Sequence, residues 1–170
     1  TGKESIENVK LILRELSKFQ NNSDLFLIPF LEIQKNIMQF SHQKHWITLF
    51  RRAMIKFSNL IAAKERAVAL ISGENVGQVA SQTLSNINVI GKCSSLPILR
   101  PLIGYNKKEI VNLAVEINTY ELSIQPYEDC CSFFVPKHPE TKAKLYIIEH
   151  IEKKIELNFE DLYNKIDKIS

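Results

Sequence analysis

The chain has 170 residues, of which 45% are hydrophobic and 24% are charged, so it holds enough apolar side chain for one compact core. Its net charge of +3 is too small to attract nucleic acid over the whole surface. The longest nearly apolar run, at residues 25–31, is short and contains Pro29, so no membrane-spanning helix is expected. Three cysteines do not make a disulfide framework, and the N-terminus has neither an initiator Met nor the apolar stretch of a signal peptide. A cytoplasmic chain cut from a longer one is therefore expected.

The first half of the chain alternates helical and extended patterns, which is typical of an α/β layer structure. Apolar residues spaced by three and four predict an amphipathic helix at about residues 5–19. The continuous apolar run at 25–30 predicts a strand that is covered on both faces of a parallel sheet. Helical spacing resumes at about 41–66 and predicts the longest helix of the chain.

Two further extended segments follow, each before a helical pattern. Residues 67–71 predict a buried strand that runs through Gly73 into a helix bearing Leu84 and Ile87. Residues 96–102 contain two prolines and predict a short strand or an edge strand. Asn106, three residues before Glu109, predicts a capping box that opens the next helix. Right-handed crossovers would place these helices on the faces of a small parallel sheet, with a ligand at the carboxyl ends of its strands.

The last third of the chain has a different pattern. Residues 124–139 include three prolines without sustained periodicity and predict a structured loop, and helical spacing returns at 141–155. No repeat or low-complexity linker is present. One domain over residues 1–170 is therefore expected, with 145–170 as a C-terminal helical tail.

The turn after the second predicted strand is a candidate ligand site. Gly73 lets a ligand approach the backbone, and a helix N-terminus there would offer unpaired N–H groups to phosphate. A glycine that merely serves a tight turn explains the pattern equally well. Gln78 and Gln82, four apart on the predicted helix, would either read the edge of a base or face water.

The arginines and histidines of the predicted long helix also have either a ligand-binding or a purely structural interpretation. Arg51 and Arg52 point in directions about 100° apart, so only one lies near the apolar stripe and the other is expected in solvent. A guanidinium here either clamps a phosphate or is ordinary surface charge. His42 and His45 lack a nearby Cys or carboxylate partner in the sequence, so no metal site is predicted.

The adjacent pair Cys130 and Cys131 is the most unusual feature of the sequence. Buried, these thiols would be inert, whereas an exposed, ionised thiol would act as a nucleophile or carry a persulfide. Glu128 and Asp129 oppose ionisation, so an activated cysteine needs a cation or a helix terminus folded close to it. Cys93 is expected to be structural. Neither a P-loop nor a GxGxxG fingerprint occurs among the five glycines.

Several segments resemble one protein family, in the same order along the chain. They are Leu-Ile-Pro-Phe at 27–30, Arg-Arg-Ala-Met at 51–54, Ser-Gly-Glu-Asn-Val-Gly-Gln-Val-Ala-Ser-Gln-Thr at 72–83, Leu-Arg-Pro-Leu-Ile at 99–103, 119–131 ending in Tyr-Glu-Asp-Cys-Cys, and Pro-Lys-His-Pro-Glu-Thr-Lys at 136–142. This set resembles the tRNA 4-thiouridine synthetases, also called tRNA sulfurtransferases or thiamine biosynthesis protein ThiI. The similarity extends to about Lys144.

The resemblance implies a fold that agrees with the α/β pattern. Members of the family have a pyrophosphatase-loop domain, a Rossmann-like parallel sheet flanked by helices of the adenine nucleotide alpha hydrolase type. Its first strand ends in a Ser-Gly-Gly-x-Asp-Ser phosphate loop that is absent here. The chain is therefore expected to be a partial domain lacking its first strand and phosphate loop. The exposed sheet edge would favour a homodimer.

The resemblance also implies a reaction and the residues that perform it. It assigns Arg51, Gly73 and Gln82 to ATP binding, with Mg as the counterion of ATP and no metal site of the protein. Enzymes of this family adenylate O4 of uridine 8 in tRNA and then replace this oxygen with sulfur from a cysteine persulfide. In this chain, the resemblance assigns the persulfide to Cys130 or to the adjacent Cys131.

The implied partners are tRNA and a persulfide donor such as a cysteine desulfurase, and thiamine thiazole synthesis is a second destination for the sulfur. The alternative is a non-enzymatic adenine-nucleotide or RNA-docking module, because the phosphate loop is missing. A different member of the superfamily, such as an amidating synthetase, fits the fold but not the Cys-Cys loop.

Overall fold

A computed structural model describes residues 2–20, 23–126, 139–155 and 158–169 of the chain. Their contacts cluster in two compact units, the first formed by Thr1–Ile28, Tyr105–Phe134 and Ile166–Ser170, and the second by Pro29–Gly104 and Val135–Lys165. The expectation of one domain over residues 1–170 stays a prediction. In the described ranges, no helix combines the length and apolar character needed to cross a bilayer.

Helices and short strands alternate along the described chain. In order they are α1 (Lys3–Leu16), β1 (Leu25–Leu27), α2 (Leu31–Phe40), α3 (Trp46–Lys64), β2 (Leu70–Ile71), α4 (Leu84–Gly91), β3 (Ile98–Leu99), α5 (Lys107–Glu116), α6 (Tyr120–Ser123), α7 (Leu145–Glu152), α8 (Phe159–Tyr163) and β4 (Asp167–Ile169). Two 3-10 turns, Gln43–His45 and Ala80–Gln82, precede α3 and α4. The expected α/β class is confirmed.

In the first unit, helix α1 packs on α6, and the buried Asn8 donates to the Leu122 carbonyl at 3.0 Å. Helix α5 opens with the predicted capping box. The Asn106 Oδ1 accepts from the Glu109 N–H at 3.0 Å, and the Glu109 Oε2 accepts from the Asn106 N–H at 2.7 Å. Both bonds satisfy donors that a helix start leaves unpaired, so α5 begins where the sequence predicts.

The second unit is built around helix α3. Its buried face packs on α2, α4 and α7, and it closes an apolar core whose most deeply buried members are Phe57, Ile33, Ile37, Leu49, Ile90 and Ile148. Strands β2 and β3 lie beside this helical core as a parallel pair, with Leu70 opposite Ile98. The pairing holds the segment that follows β2 in place.

One predicted strand pairs differently from expectation. Strand β1 belongs to an antiparallel pair with β4, with Phe26 opposite Lys168, and not to a parallel sheet. The Lys168 ammonium lies 2.9 Å from the Asp24 carboxylate and 5.0 Å from the centre of the Phe26 ring, and these contacts fix the register. The segment 145–170, expected to be a helical tail, therefore ends in a strand at Asp167–Ile169.

Several predicted helix limits also move. No helix or strand is predicted from the sequence at residues 31–40, where the structure has α2. The helix expected at 41–66 is a 3-10 turn followed by α3, and the helix expected at 141–155 is confined to Leu145–Glu152. Helix α3 ends at Lys64. Two residues later Arg66 has a left-handed φ of 57°, and the Ala67 N–H donates back to the Ala62 carbonyl at 2.8 Å.

Candidate functional site

The segment after β2, residues 72–77, forms a loop that is fixed by hydrogen bonds at both ends. The Ser72 N–H donates to the Leu99 carbonyl at 3.0 Å, and the Gly77 N–H donates to the Gln82 carbonyl at 3.1 Å. Between them, the Asn75 side-chain amide donates to the Leu102 carbonyl at 2.8 Å. We call residues 72–77 the β2 loop. It lies at the carboxyl end of a parallel strand, the position at which α/β sheets bind ligands.

Gly73 lies in the open part of the β2 loop. A Cβ atom added at this residue would meet no heavy atom within 4 Å. The protein itself therefore does not require glycine here for lack of space, and a ligand has free access to this backbone. The expected helix N-terminus is not adjacent, because the loop leads into a turn and a 3-10 helix, and α4 begins only at Leu84.

Arg51 reaches the β2 loop from helix α3. Its Nη1 lies 3.2 Å from the Glu74 carboxylate, which also receives the Arg100 Nε at 2.6 Å and the Ser72 hydroxyl at 3.1 Å. Glu74 is only 7% exposed, so its charge must be compensated within the protein. We call these four residues the Glu74 cluster.

The Glu74 cluster carries two guanidinium groups on one carboxylate. The Arg51 and Arg100 side chains keep 26% and 20% of their surface exposed. The summed charge of the cluster is positive, and both cations have surface left for a second, external partner. Such an arrangement attracts an anion such as phosphate.

Gln82 is attached to the same loop from the other side. Its Oε1 accepts from the Asn75 N–H at 2.9 Å. This bond fixes the side-chain amide, and among the described residues its Nε2 group has no partner. Gln78 does not share a helical face with Gln82 as expected, because it lies in a bend before the 3-10 turn. Of the two glutamines, Gln82 is the one whose amide is held in one direction beside the loop.

Arg52 points the opposite way and is part of the core. It is 2% exposed, and its Nε and Nη2 contact the two oxygens of Glu152 at 2.9 and 2.8 Å, while Nη1 donates to the Val89 carbonyl. Burial alone would raise the pKa of Glu152, but hydrogen bonds and the charges of Arg52 and Lys56 outweigh it and lower this pKa. The expectation that only one of the two arginines lies near the apolar stripe is confirmed for Arg52, and the other, Arg51, is partly exposed and paired with Glu74.

The histidines and Cys93 have structural surroundings. His45 is 6% exposed, and burial, together with the charge of Lys44, lowers its pKa, so the ring is neutral at pH 7. Burial also raises the pKa of the Cys93 thiol, which donates to the Ile90 carbonyl at 3.1 Å. Over the described ranges, no three His, Cys, Asp or Glu side chains come together as metal ligands.

The catalytic cysteine candidates, Cys130 and Cys131, lie outside the described residues. So do Lys137 and His138, the nearby cations considered as activators of a thiolate. The assignment of a sulfur carrier to this pair stays a prediction.

Two members of the site were not singled out from the sequence. Glu74 and Arg100 stand in the segments Ser-Gly-Glu and Leu-Arg-Pro that carry the family resemblance, and this was the available signal. Their pairing was not predictable from spacing, because 26 positions separate them.

The chain is similar to known proteins over most of its length. The family model for "Thiamine biosynthesis protein (ThiI)" matches residues 1–157. The chain belongs to the ThiI family. Within this family, it is 46% identical over 155 residues to a probable tRNA sulfurtransferase of Moorella thermoacetica, covering 91% of the chain and 40% of that protein. It is 44% identical over 165 residues to the corresponding protein of Acetivibrio thermocellus, covering 97% of the chain and 42% of that protein.

A solved structure of a 4-thiouridine synthetase has the same fold. The crystal structure of a 4-thiouridine synthetase in complex with RNA and with bound ATP matches the chain with a TM-score of 0.89 and 36% sequence identity. The match covers 100% of the chain and 46% of that protein. The chain therefore spans less than half the length of these family members.

Proposed function

We propose that the chain is the nucleotide-binding and sulfur-transferring part of a cytoplasmic tRNA sulfurtransferase. In this proposal, ATP adenylates O4 of uridine 8 in tRNA, and a persulfide on Cys130, or on Cys131, then delivers sulfur to form 4-thiouridine. The sulfur comes from a donor protein such as a cysteine desulfurase, and thiamine thiazole is a second possible acceptor.

One observation carries the ATP assignment. The three residues that the family resemblance marks for ATP binding all meet at the β2 loop: Gly73 lies in it, Arg51 contacts its Glu74, and Gln82 accepts from its Asn75. They come from sequence positions far apart, and nothing in their spacing requires this convergence. The bound ATP named for the solved relative supports the same choice of ligand.

Each of these residues has a separate role toward the nucleotide. The guanidinium of Arg51, reinforced by Arg100, provides positive charge for phosphate oxygens. Gly73 allows the nucleotide to contact the backbone, and the fixed amide of Gln82 donates to a polar atom of the base or ribose. Mg accompanies ATP as its counterion. The proposed adenylate makes the uridine oxygen depart as AMP, for which a soft sulfur nucleophile is well suited.

The finer description of the fold is part of the same proposal. The parallel pair β2 and β3, with the candidate site at the carboxyl end of β2, supports a Rossmann-like sheet of the pyrophosphatase-loop type. Ile71 and Leu99, on these two strands, are 74% and 53% exposed, which is unusual for a parallel pair and supports a sheet that is only partly present here. Dimerisation through this edge stays a prediction.

The test is ATP-dependent formation of 4-thiouridine in tRNA by the intact protein. Replacing Cys130 and Cys131 together by Ser is expected to abolish thiolation while ATP binding persists. Cys93→Ser is the matched control, because Cys93 is hydrogen bonded inside the second unit, and it is expected to keep thiolation. Full activity of the double variant would refute the sulfur-carrier assignment. Binding of ATP and tRNA without thiolation by the wild-type protein would favour the docking-module alternative.

A further inference from the structure

The second arginine of the Glu74 cluster, Arg100, is held on three sides. Its Nε donates to the Glu74 carboxylate at 2.6 Å, which is the shortest contact within the cluster. The Nη1 group donates to the Ile98 carbonyl at 3.3 Å. The Nη2 group lies over Gly91, where an added Cβ atom would stand only 3.1 Å from it. The direction of the Arg100 guanidinium is therefore fixed by its surroundings.

Gly91 provides the space that this guanidinium occupies. It is the last residue of helix α4, where glycine is less favourable than alanine. Its φ lies outside the left-handed region, so the backbone conformation does not call for glycine. A side chain at this position would press against Arg100, and this contact explains the glycine. The helix thus carries an unfavourable residue at the point where it admits Arg100.

Arg51 is held less firmly than Arg100. Its Nη1 lies 3.2 Å from Glu74, and no other hydrogen bond joins its side chain to the part of the chain that the structure describes. Two guanidinium groups share one carboxylate, and the shorter contact belongs to Arg100. Because Arg100 balances the charge of Glu74, the charge of Arg51 and its Nε and Nη2 groups remain available to an anion.

Removing Arg100 would change this balance. The Glu74 side chain is only 9% exposed, so water screens its charge poorly and a cation of the protein must compensate it. Both carboxylate oxygens would then be open to Arg51, whose planar guanidinium suits a contact with two oxygens. An Arg51 side chain paired in this way has less charge and fewer free N–H groups for phosphate.

We propose that Arg100 is a positioning residue for nucleotide binding, which neutralises Glu74 and thereby keeps Arg51 available for phosphate, without itself contacting ATP. All of these residues belong to the second unit. The inference rests on the proposed function, because it takes Arg51 as a ligand of ATP. It predicts that the effect of Arg100 on ATP affinity depends on the Glu74 carboxylate.

The experiment measures the ATP affinity of the intact protein by calorimetry in two backgrounds, wild type and Glu74→Gln. In wild type, Arg100→Met should raise the ATP dissociation constant roughly 10-fold, the lower end of the range for a lost hydrogen bond to a charged group. In the Glu74→Gln background, the same substitution should change it by less than about 2-fold, because the carboxylate that would draw Arg51 away is absent. Arg100→Lys should recover most of the lost affinity, since an ammonium group also neutralises Glu74.

Lys92→Met is the matched control for the charge. Lys92 is exposed, follows Gly91 directly and lines the same groove as Arg100. Its substitution removes one positive charge nearby without touching Glu74, so the ATP dissociation constant should stay within about 2-fold of the wild-type value. A loss of affinity equal to that of Arg100→Met would overturn the inference, because general positive charge would then explain both results.

Gly91→Ala covers the case in which Arg100→Met does not fold. Alanine favours the helix, and its Cβ atom forces the Arg100 Nη2 to move by a few tenths of an ångström. ATP binding should weaken in wild type, by less than in Arg100→Met, and stay unchanged in the Glu74→Gln background. The inference is overturned if neither variant weakens ATP binding in wild type. It is equally overturned if Arg100→Met has the same effect in both backgrounds, because Arg100 would then act on the nucleotide directly.

A failure of the proposed ATP site gives a different pattern, in which wild type binds no ATP or Arg51→Met binds it as tightly as wild type. The ligand-free protein still tests the balance within the Glu74 cluster. NMR measures how fast the two Nη groups of Arg51 exchange by rotation about the Nε–Cζ bond. This rotation should slow in Arg100→Met, because Glu74 then offers both oxygens to Arg51, and it should stay unchanged in Lys92→Met. An unchanged or faster rotation in Arg100→Met would contradict the positioning role.

Discussion

Two adjacent arginines on helix α3 belong to two different ion-pair clusters of the second unit. Arg51 turns toward the β2 loop, where Glu74 is shared with Arg100 and part of each guanidinium stays exposed. Arg52 turns into the core, where its Nε and Nη2 donate to Glu152 and its Nη1 donates to the Val89 carbonyl. The Arg51 guanidinium keeps exposed surface for a ligand, whereas the Arg52 guanidinium is only 3% exposed and has a partner for each of its three nitrogens. In our proposal, the same residue type therefore contributes to binding in one place and to stability in the other.

The largest effect on stability is expected from Arg52. Arg52→Met leaves the half-buried Glu152 carboxylate with Lys56 only, and we expect the free energy of unfolding to fall by about 3 kcal/mol, the lower end of the cost of removing one partner of a buried pair. Urea unfolding measures this change. The double variant Arg52→Met/Glu152→Leu, which removes both charges, should recover most of the loss. A loss below about 1 kcal/mol in the single variant would show that the pair behaves as a surface ion pair.

Arg51 is expected to show the reverse behaviour. Arg51→Met should change the free energy of unfolding by less than about 1 kcal/mol, because Arg100 still pairs with Glu74. The ATP dissociation constant should rise roughly 10- to 100-fold, the range expected for a lost hydrogen bond to a charged group. Calorimetry measures the affinity, with the exposed Arg14→Met as the matched control. Unchanged ATP affinity would remove Arg51 from the site.

Gly73 tests whether ATP binds against the backbone of the β2 loop. Gly73→Ala meets no atom of the protein, so folding should be unaffected. The added methyl group should weaken ATP binding by about 10-fold, the lower end of the effect of one methyl-sized group in a fitted pocket. Gly104→Ala is the control, because a Cβ atom there also meets no atom within 4 Å. Equal ATP affinities of the two variants would place the nucleotide away from the β2 loop.

The ion pair of Arg52 and Glu152 makes the free energy of unfolding depend on pH. The pKa of Glu152 is lowered from its ordinary value of 4.5 in the folded protein, so its ion pair contributes stability that is present above pH 4.5 and is lost as the pH falls through the folded pKa. Denaturant unfolding between pH 7 and 3 should show this loss. Glu152→Gln should remove that part of the slope, and an identical slope in this variant would contradict the assignment.

Local interactions were predictable from the sequence, and distant ones were not. The capping box of α5 depends on Asn106 and Glu109 alone, and it forms as expected. The antiparallel partner of β1 was missed because Leu25 and Ile169 stand at opposite ends of the chain. An apolar run of residues specifies a strand, but neither its partner nor its direction.

The same limit applies to the candidate site. Periodicity showed that Arg51 and Arg52 point apart, but their roles depend on Glu74 and Glu152, which are distant in sequence. The residues proposed for ATP came from a family resemblance, and the structure adds that Gly73 lies in the β2 loop and that Arg51 and Gln82 contact it.

The most direct test of the account is a crystal structure of the intact protein with ATP. We predict that the nucleotide lies at the β2 loop, with a phosphate oxygen within hydrogen-bonding distance of the Arg51 guanidinium, the Gln82 amide on the nucleotide and Gly73 in van der Waals contact with it. A nucleotide that binds elsewhere and touches none of these three residues would contradict it.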